Sequence, residues 1–183
     1  SGRDPDQLDA AAIARASIER LAENASDGVV APVFWGVLLG LPGLVAYKAI
    51  NTMDSMIGHR STRYRHYGMV AARLDDLVNL IPARATGLLF VIVSGRPRRA
   101  AAVMLRDARH HRSPNAGWPE GAMAGALDVR LSGPRVYGEE IADEPWLNAD
   151  RTEADATTLR RALTLYLRAL FVLAVVLALV ALI

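Results

Sequence analysis

The sequence predicts an all-α, polytopic integral membrane protein with a polar loop region between its spans. Hydrophobic residues make up 52% of the 183 residues. The excess is aliphatic, because 31 residues are Ala and 24 are Leu, and both favour helices. This composition argues against a β-sandwich and a disordered chain, and the lack of Cys excludes disulfides and thiolate metal sites. We interpret residues 1–183 as one membrane domain.

The charge of the chain is nearly balanced. It carries 21 basic and 19 acidic residues, for a net charge of +2, which argues against a nucleic-acid partner. All the basic residues except Lys48 are Arg, the side chain suited to two-pronged binding of phosphate and carboxylate. The sequence has neither an initiator Met nor a signal peptide, so we expect it to be the later part of a longer protein.

The first predicted element is an amphipathic helix over residues 4–26. Asp4 precedes the helix as an N-cap, and Arg15 and Glu19 are spaced to pair on its water-facing side. Gly28 follows the helix and is expected to end it.

Three apolar segments follow, of which residues 163–183 form the clearest span. These 21 residues would extend roughly 31 Å as a helix, enough to cross a hydrocarbon core. Residues 29–46 are uncharged but interrupted by Pro and Gly, so a broken or re-entrant helix is as well supported as a straight one. Residues 77–93 contain Arg84, which costs about 2.5–3.5 kcal/mol in lipid and should therefore face protein, water or a ligand.

The two polar regions, residues 47–76 and 94–162, bear on the topology. Both are Arg-rich, and two straight crossings would place them on opposite sides of the membrane, against the positive-inside rule. If one of the two weaker spans is re-entrant, both regions are cytoplasmic. Within the second region, Pro119 is expected to open a short helix over residues 119–127.

Three short polar motifs adjoin the apolar segments and share a helical spacing that gathers acidic and amide or guanidinium groups on one face. Carboxylate and amide oxygens are the hard ligands that Mg²⁺ prefers, and nearby Arg residues suit phosphate. The alternative is that these residues are helix caps and solvated turns. The motifs are Glu23-Asn24 with Asp27, Asn51 with Asp54, and Arg73 with Asp75 and Asp76.

A dense turn over residues 113–121 leads into a helix N-terminus and includes Asn115, Gly117 and Glu120. Free backbone N–H groups at such a position can bind an anion, although a plain capped turn explains the same residues equally well. The adjacent His110 and His111 would point about 100° apart on a helix, which argues against a shared metal.

Four blocks of the sequence, taken in order, resemble a known family. They are ENASDGVVAPVFW, AYKAINTMDSMIGHR, YGMVAARLDDLVNLIPAR and HRSPNAGWPEGAMAGAL. They are similar to the cobalamin-biosynthesis membrane family called CobD or CbiB, adenosylcobinamide-phosphate synthase, from about Gly2 to the C-terminus. Members of that family have further hydrophobic spans before this point, so the resemblance implies the C-terminal part of a multi-pass inner-membrane protein.

The resemblance implies a ligase-like reaction that uses ATP and Mg²⁺. It joins a carboxylate of the corrinoid adenosylcobyric acid to the amine of (R)-1-aminopropan-2-ol phosphate, giving adenosylcobinamide phosphate. On this basis we assign three roles. The residues expected to bind Mg²⁺ are Asp27, Asp54, Asp75 and Asp76. Those expected to bind substrate or phosphate are Asn24, Asn51, Arg73, Arg84, Asn115 and Gly117. Those expected to act in catalysis are Glu23, Asp54 and Glu120.

Two other functions stay open. One is a Mg²⁺-dependent membrane phosphotransferase or prenyltransferase, because Asp27-Gly28-x-x-Ala31 is similar to the start of the CDP-alcohol phosphotransferase motif, although Pro32 stands where that motif has Arg. The other is a non-catalytic membrane scaffold for corrinoid enzymes. The expected partners are membrane lipid, the two substrates, and either a second copy of the chain or other cobalamin-pathway enzymes.

Overall fold

The computed structural model describes residues 9–57, 65–137, 140–142 and 144–182. Helix α1 (Ala10–Asn24) begins at Asp9, whose Oδ1 accepts a hydrogen bond from Ala12 N at 2.7 Å. The predicted cap Asp4 lies outside the described residues. Arg15 and Glu19 do pair (Nε to Oε1, 3.9 Å), but both side chains are about nine-tenths buried, so the prediction that they face water is wrong.

The predicted end at Gly28 is also wrong. The chain continues from α1 through a six-residue π-helical segment (Ala25–Val30) directly into helix α2 (Ala31–Ile57). Gly28 does not adopt the left-handed conformation that ends helices. It therefore acts as an ordinary helical residue, at the modest propensity cost of a glycine.

Helix α2 reverses direction at Gly40, which has φ 65° and ψ −155°, a conformation open essentially to glycine alone. The hydroxyl of Tyr47 lies 3.0 Å from the carbonyl oxygen of Asp27, 20 residues earlier, whereas a straight helix would separate them by about 30 Å. A Cβ on Gly43 would lie 2.5 Å from the carbonyl oxygen of Trp35. The first arm (residues 31–39) and the second arm (residues 41–57) therefore form a helical hairpin, the broken form of the predicted segment 29–46.

Two further long helices complete the apolar part of the molecule. Helix α3 (Arg65–Val93) includes the polar stretch before residue 77, and helix α6 (Ala156–Val180) starts at the N-cap Asp155 and contains most of the predicted span 163–183. Among the described residues, three helical segments are long and apolar enough to cross a membrane: Ala10–Ile57, which contains the reversal at Gly40, Gly68–Val93 and Ala156–Val180. The fold is all-α and of membrane-spanning type.

A polar layer is built from the chain between α3 and α6. Helix α4 (Pro97–Asp107) leads through a 3₁₀ turn (Ala108–His110) to helix α5 (Gly117–Leu127), which begins two residues before the predicted Pro119. Two antiparallel strand pairs follow. They are β1 (Leu131–Ser132) with β4 (Trp146–Leu147), and β2 (Arg135–Tyr137) with β3 (Glu140–Ala142).

Helix α5 is the centre of the core and is buried along its length. It packs against α3 on one side and α4 on the other. A Cβ on Gly125 would lie 2.7 Å from the Cα of Ala100, so the contact with α4 requires glycine. This packing holds the turn before α5 against the polar part of α3.

Candidate functional site

The base of the α2 hairpin meets α3 at a group of four carboxylates, here called the acidic cluster: Glu23, Asp27, Asp54 and Asp75. The charge of Asp27 interacts with those of Asp75, Glu23 and Asp54, and the charge of Asp75 interacts with those of Asp54 and Glu23. The four residues come from three sequence motifs on different elements. The hairpin is what brings them together, because it returns the second arm to the level of the π-helical segment.

A hydrogen-bond network fixes Asp75 within this cluster. Asn51 Nδ2 donates to Asp75 Oδ1 at 3.2 Å, and Asn79 Nδ2 donates to Asp75 Oδ2 at 3.0 Å. The hydroxyl of Tyr47 lies 3.0 Å from both Asn79 Oδ1 and the carbonyl oxygen of Asp27. Tyr47 and Asn79 are almost completely buried, so the network ties both arms of the hairpin to α3 and orients the Asp75 carboxylate.

Two described cations near the cluster, Lys48 and Arg20, do not pair with Asp27 or Asp75. Among the described residues, neither Asp27 nor Asp75 forms an ion pair. Lys48 Nζ donates to Asn51 Oδ1 at 3.3 Å, and Arg20 pairs with Glu23 at 2.9 Å. Asp27 and Asp75 are therefore like charges without an ionic partner among the described residues.

The donor atoms of this cluster are of the type that Mg²⁺ prefers, because all of them are oxygens. Within the described part of the chain, no three His, Cys, Asp or Glu side chains converge into a complete metal site. Mg²⁺ is usually held by one or two carboxylates together with substrate phosphates, so the residues suit a metal that arrives with a phosphorylated substrate.

A second group of predicted residues lies where α3 meets the turn before α5. Asn115 Nδ2 donates to the carbonyl oxygen of Asp76 at 2.8 Å. Asn115 is 6% exposed, and its Oδ1 has no hydrogen-bond partner among the described residues. Arg84 Nη1 donates to the carbonyl oxygen of Leu80 at 2.6 Å, and its guanidinium lies 4.5 Å from the centroid of the Trp118 ring. Arg84 thus contacts protein, one of the three environments predicted for it.

The buried carboxylate of Glu120 faces His111. Glu120 Oε2 lies 3.6 Å from His111 Nε2, and both side chains are more than nine-tenths buried. His111 Nδ1 accepts a hydrogen bond from Ser113 N at 3.0 Å, so in the neutral ring Nε2 carries the proton and points toward Glu120.

The turn itself is internally capped. Ser113 Oγ accepts hydrogen bonds from the backbone N–H groups of Asn115 and Ala116, each at 3.2 Å. These two groups are therefore not free to bind an anion. A Cβ on Gly117 would collide with the carbonyl oxygen of Ala108, so this glycine serves close packing of the 3₁₀ turn on α5.

Two further predicted residues, Asn24 and Arg73, are exposed. Asn24 is exposed and makes no side-chain capping bond. Arg73 is exposed on α3, and its charge interacts with that of Asp76, three residues on. Asp76 lies beside Asp75 in the sequence, but the side chain of Asn79 binds Asp75.

The family description "CobD/Cbib protein" matches residues 1–166. The chain belongs to the CobD/CbiB family. Among similar proteins, the cobalamin biosynthesis protein CobD of Rhodobacter capsulatus is 62% identical over 180 residues, covering 98% of this chain and 57% of the relative. The protein of the same name from Brucella suis is 58% identical over 172 residues, covering 90% and 53%. The chain spans about half the length of the curated relatives it matches, and no solved structure matches it.

In this CobD/CbiB family member, sequence reasoning missed Tyr47, His111 and Trp118. Tyr47 lies in an apolar run, and only the reversal at Gly40 carries its hydroxyl to Asp27. The one available signal for His111 and Trp118 was their position inside the polar turn that already contained Asn115 and Glu120.

Proposed function

We propose that this chain is part of a membrane-bound enzyme of cobalamin biosynthesis that forms an amide at the expense of ATP. The substrates would be adenosylcobyric acid and (R)-1-aminopropan-2-ol phosphate, in the inner membrane. Membership of the CobD/CbiB family and the names of the relatives support the pathway. The structural observation that carries the chemistry is the acidic cluster, with Asp27 and Asp75 uncompensated at the base of the hairpin.

A carboxylate does not condense with an amine unaided, because oxide is a poor leaving group. In the proposed reaction the corrinoid carboxylate attacks the γ-phosphorus of ATP and displaces ADP, giving an acyl phosphate. The amine nitrogen then attacks the acyl carbon, and inorganic phosphate departs with the former carboxylate oxygen. Both steps move negative charge onto phosphate oxygens, so the chain must position phosphates and balance their charge.

Asp27 and Asp75 would hold Mg²⁺ together with the substrate phosphates, with Asp54 beside them, and the ion would neutralise phosphate charge when bound. The hydrogen bonds from Asn51 and Asn79 keep Asp75 oriented before substrate arrives. The exposed Arg73, beside Asp76, would bind a phosphate at the open edge of the cluster.

The ammonium group of the amine must lose a proton before attack. Glu23 is the better-placed base, because its charge interacts with both Asp27 and Asp75. Glu120 is buried against His111 and is positioned to hold the turn that carries Asn115. We therefore assign proton removal to Glu23 and a positioning role to Glu120.

Binding of Mg²⁺ and ATP to the purified chain tests the proposal. Trp35 is a suitable fluorescent reporter, because its Nε1 donates to the carbonyl oxygen of Val78, next to Asn79. We expect Asp75→Asn to weaken Mg²⁺-dependent ATP binding at least about tenfold, since it removes a charge that the metal requires. The matched control is Asp150→Asn, an exposed aspartate outside the cluster.

Equal affinity in Asp75→Asn and Asp150→Asn would contradict the proposed metal site. Mg²⁺-independent ATP binding, or none at all, would favour the scaffold alternative. Formation of an amide product with all three substrates present would separate the ligase from a phosphotransferase, which would transfer phosphate without making a C–N bond.

A further inference from the structure

A cationic cavity of about 330 Å³ lies where the start of α6 passes the ends of α3 and α5. Three arginines line it: Arg96, just after α3, and Arg161 and Arg168, two helical turns apart on α6. None of them belongs to the acidic cluster or to the α3–α5 contact described above. The cavity is thus a separate feature that the proposed reaction does not use.

The positive charge at this cavity exceeds the negative charge available to balance it. Among the described residues, Arg96 forms an ion pair with Asp128 at 2.7 Å. Asp128 also forms ion pairs with Arg99 at 2.7 Å and with Arg151 at 3.1 Å. Arg161 and Arg168 form no ion pair among the described residues. Asp128 is therefore shared by three guanidinium groups, and Arg161 and Arg168 have no acidic partner among the described residues.

An apolar groove of about 520 Å³ continues from the cavity along α6. Its walls are formed by Ile92, Leu167, Phe171 and neighbouring apolar side chains, and it shares Thr164 and Arg168 with the cationic cavity. After Arg168 no charged residue occurs on α6, so Arg168 marks the level at which the helix becomes wholly apolar. A charged pocket and an apolar groove thus meet at one arginine.

We propose that this two-part site binds an anionic phospholipid. The phosphate would lie among Arg96, Arg161 and Arg168, because guanidinium groups bind phosphate in a two-pronged manner and basic pockets beside membrane helices attract anionic headgroups. One acyl chain would lie along Ile92, Leu167 and Phe171. A free phosphate would satisfy the arginines but leave the adjoining groove open to water, so the combined shape favours the lipid.

Lipid binding to the purified chain in a neutral detergent tests this assignment. Native mass spectrometry compares phosphatidylglycerol with phosphatidylcholine and with inorganic phosphate. It therefore distinguishes an anionic lipid from a zwitterionic lipid of no net charge and from phosphate alone. The test variant is Arg161→Gln with Arg168→Gln. The charge-matched control is Arg109→Gln with Arg160→Gln, two exposed arginines outside the cavity, one of them on the same helix.

We expect the test variant to bind phosphatidylglycerol about thirtyfold more weakly, from the usual contribution of two arginines at a membrane surface, and the control to bind normally. An equal loss in both variants would overturn the proposal, because it would show a dependence on overall charge alone. Phosphatidylcholine binding as tightly as phosphatidylglycerol would also overturn it, as would inorganic phosphate displacing the lipid at equal concentration. Thermal unfolding without lipid checks that both variants are folded.

Discussion

A pair of cysteines at positions 36 and 44 tests the reversal of α2 directly. A Cβ on Gly36 would lie 3.7 Å from the Cβ of Leu44, within the range of about 3.5–4.5 Å that a disulfide requires. In a straight helix the same eight-residue separation would span about 12 Å, far beyond reach. The native chain contains no Cys, so Gly36→Cys with Leu44→Cys introduces the only thiols and gives an unambiguous signal.

We expect this double variant to form an intramolecular disulfide with a membrane-permeant oxidant, measured as loss of both maleimide-labelling sites and their recovery after reduction. The matched control is Leu167→Cys with Val175→Cys on α6, where the same spacing lies on an unbroken helix and no disulfide should form. The hairpin would be refuted if the 36–44 pair stayed fully labelled, or if both pairs became protected to the same extent.

Two further predictions concern stability in detergent. Gly40→Ala should lower the free energy of unfolding by about 1–3 kcal/mol, because alanine is strained at the φ of Gly40. The control Gly28→Ala should not lower it, because the added Cβ would have open space around it. Similar melting temperatures for the two variants would argue against the strained turn. Asp107 is the acid-sensitive group of the polar layer: burial opposes ionisation, but hydrogen bonds from Arg106 and the backbone N–H of Asn148 outweigh it and lower the pKa of the carboxyl. The ionised carboxylate therefore stabilises the fold above the ordinary carboxyl pKa, and this stabilisation is lost as pH falls through the lowered pKa. Asp107→Asn should accordingly make the free energy of unfolding less dependent on pH in the acid range. An unchanged pH dependence would exclude this role for Asp107.

Sequence reasoning predicted the helical class, which the structure confirms, but it offered candidate site residues without their arrangement. Asp27, Asp54 and Asp75 stood out because each adjoins an apolar segment at helical spacing. Their proximity depends on one backbone conformation at Gly40, and the pattern of Pro and Gly in residues 29–46 allowed a straight helix as readily as a hairpin. A local pattern shows that a helix can break, but the packing of the two arms decides whether it does.

The role of a glycine depends on its surroundings. Gly28 was expected to end a helix, because glycine permits the left-handed conformation of a helix end. In the structure Gly28 continues a helix, and Gly117 makes room for the carbonyl group of Ala108. What a glycine does in the fold depends on which group approaches it. That group can be distant in sequence, or it can be placed by a turn whose geometry the sequence does not determine.

The hairpin also has a consequence for biogenesis. Its tip is among the most exposed apolar parts of the molecule, with Leu39 60% and Leu41 73% accessible, so it is stable only when lipid or another apolar surface covers it. The same hairpin holds Asp27 at its first end and Tyr47 and Asn51 near its second. Covering the tip therefore stabilises the same hairpin that assembles the acidic cluster, so membrane insertion and formation of the cluster are coupled through it.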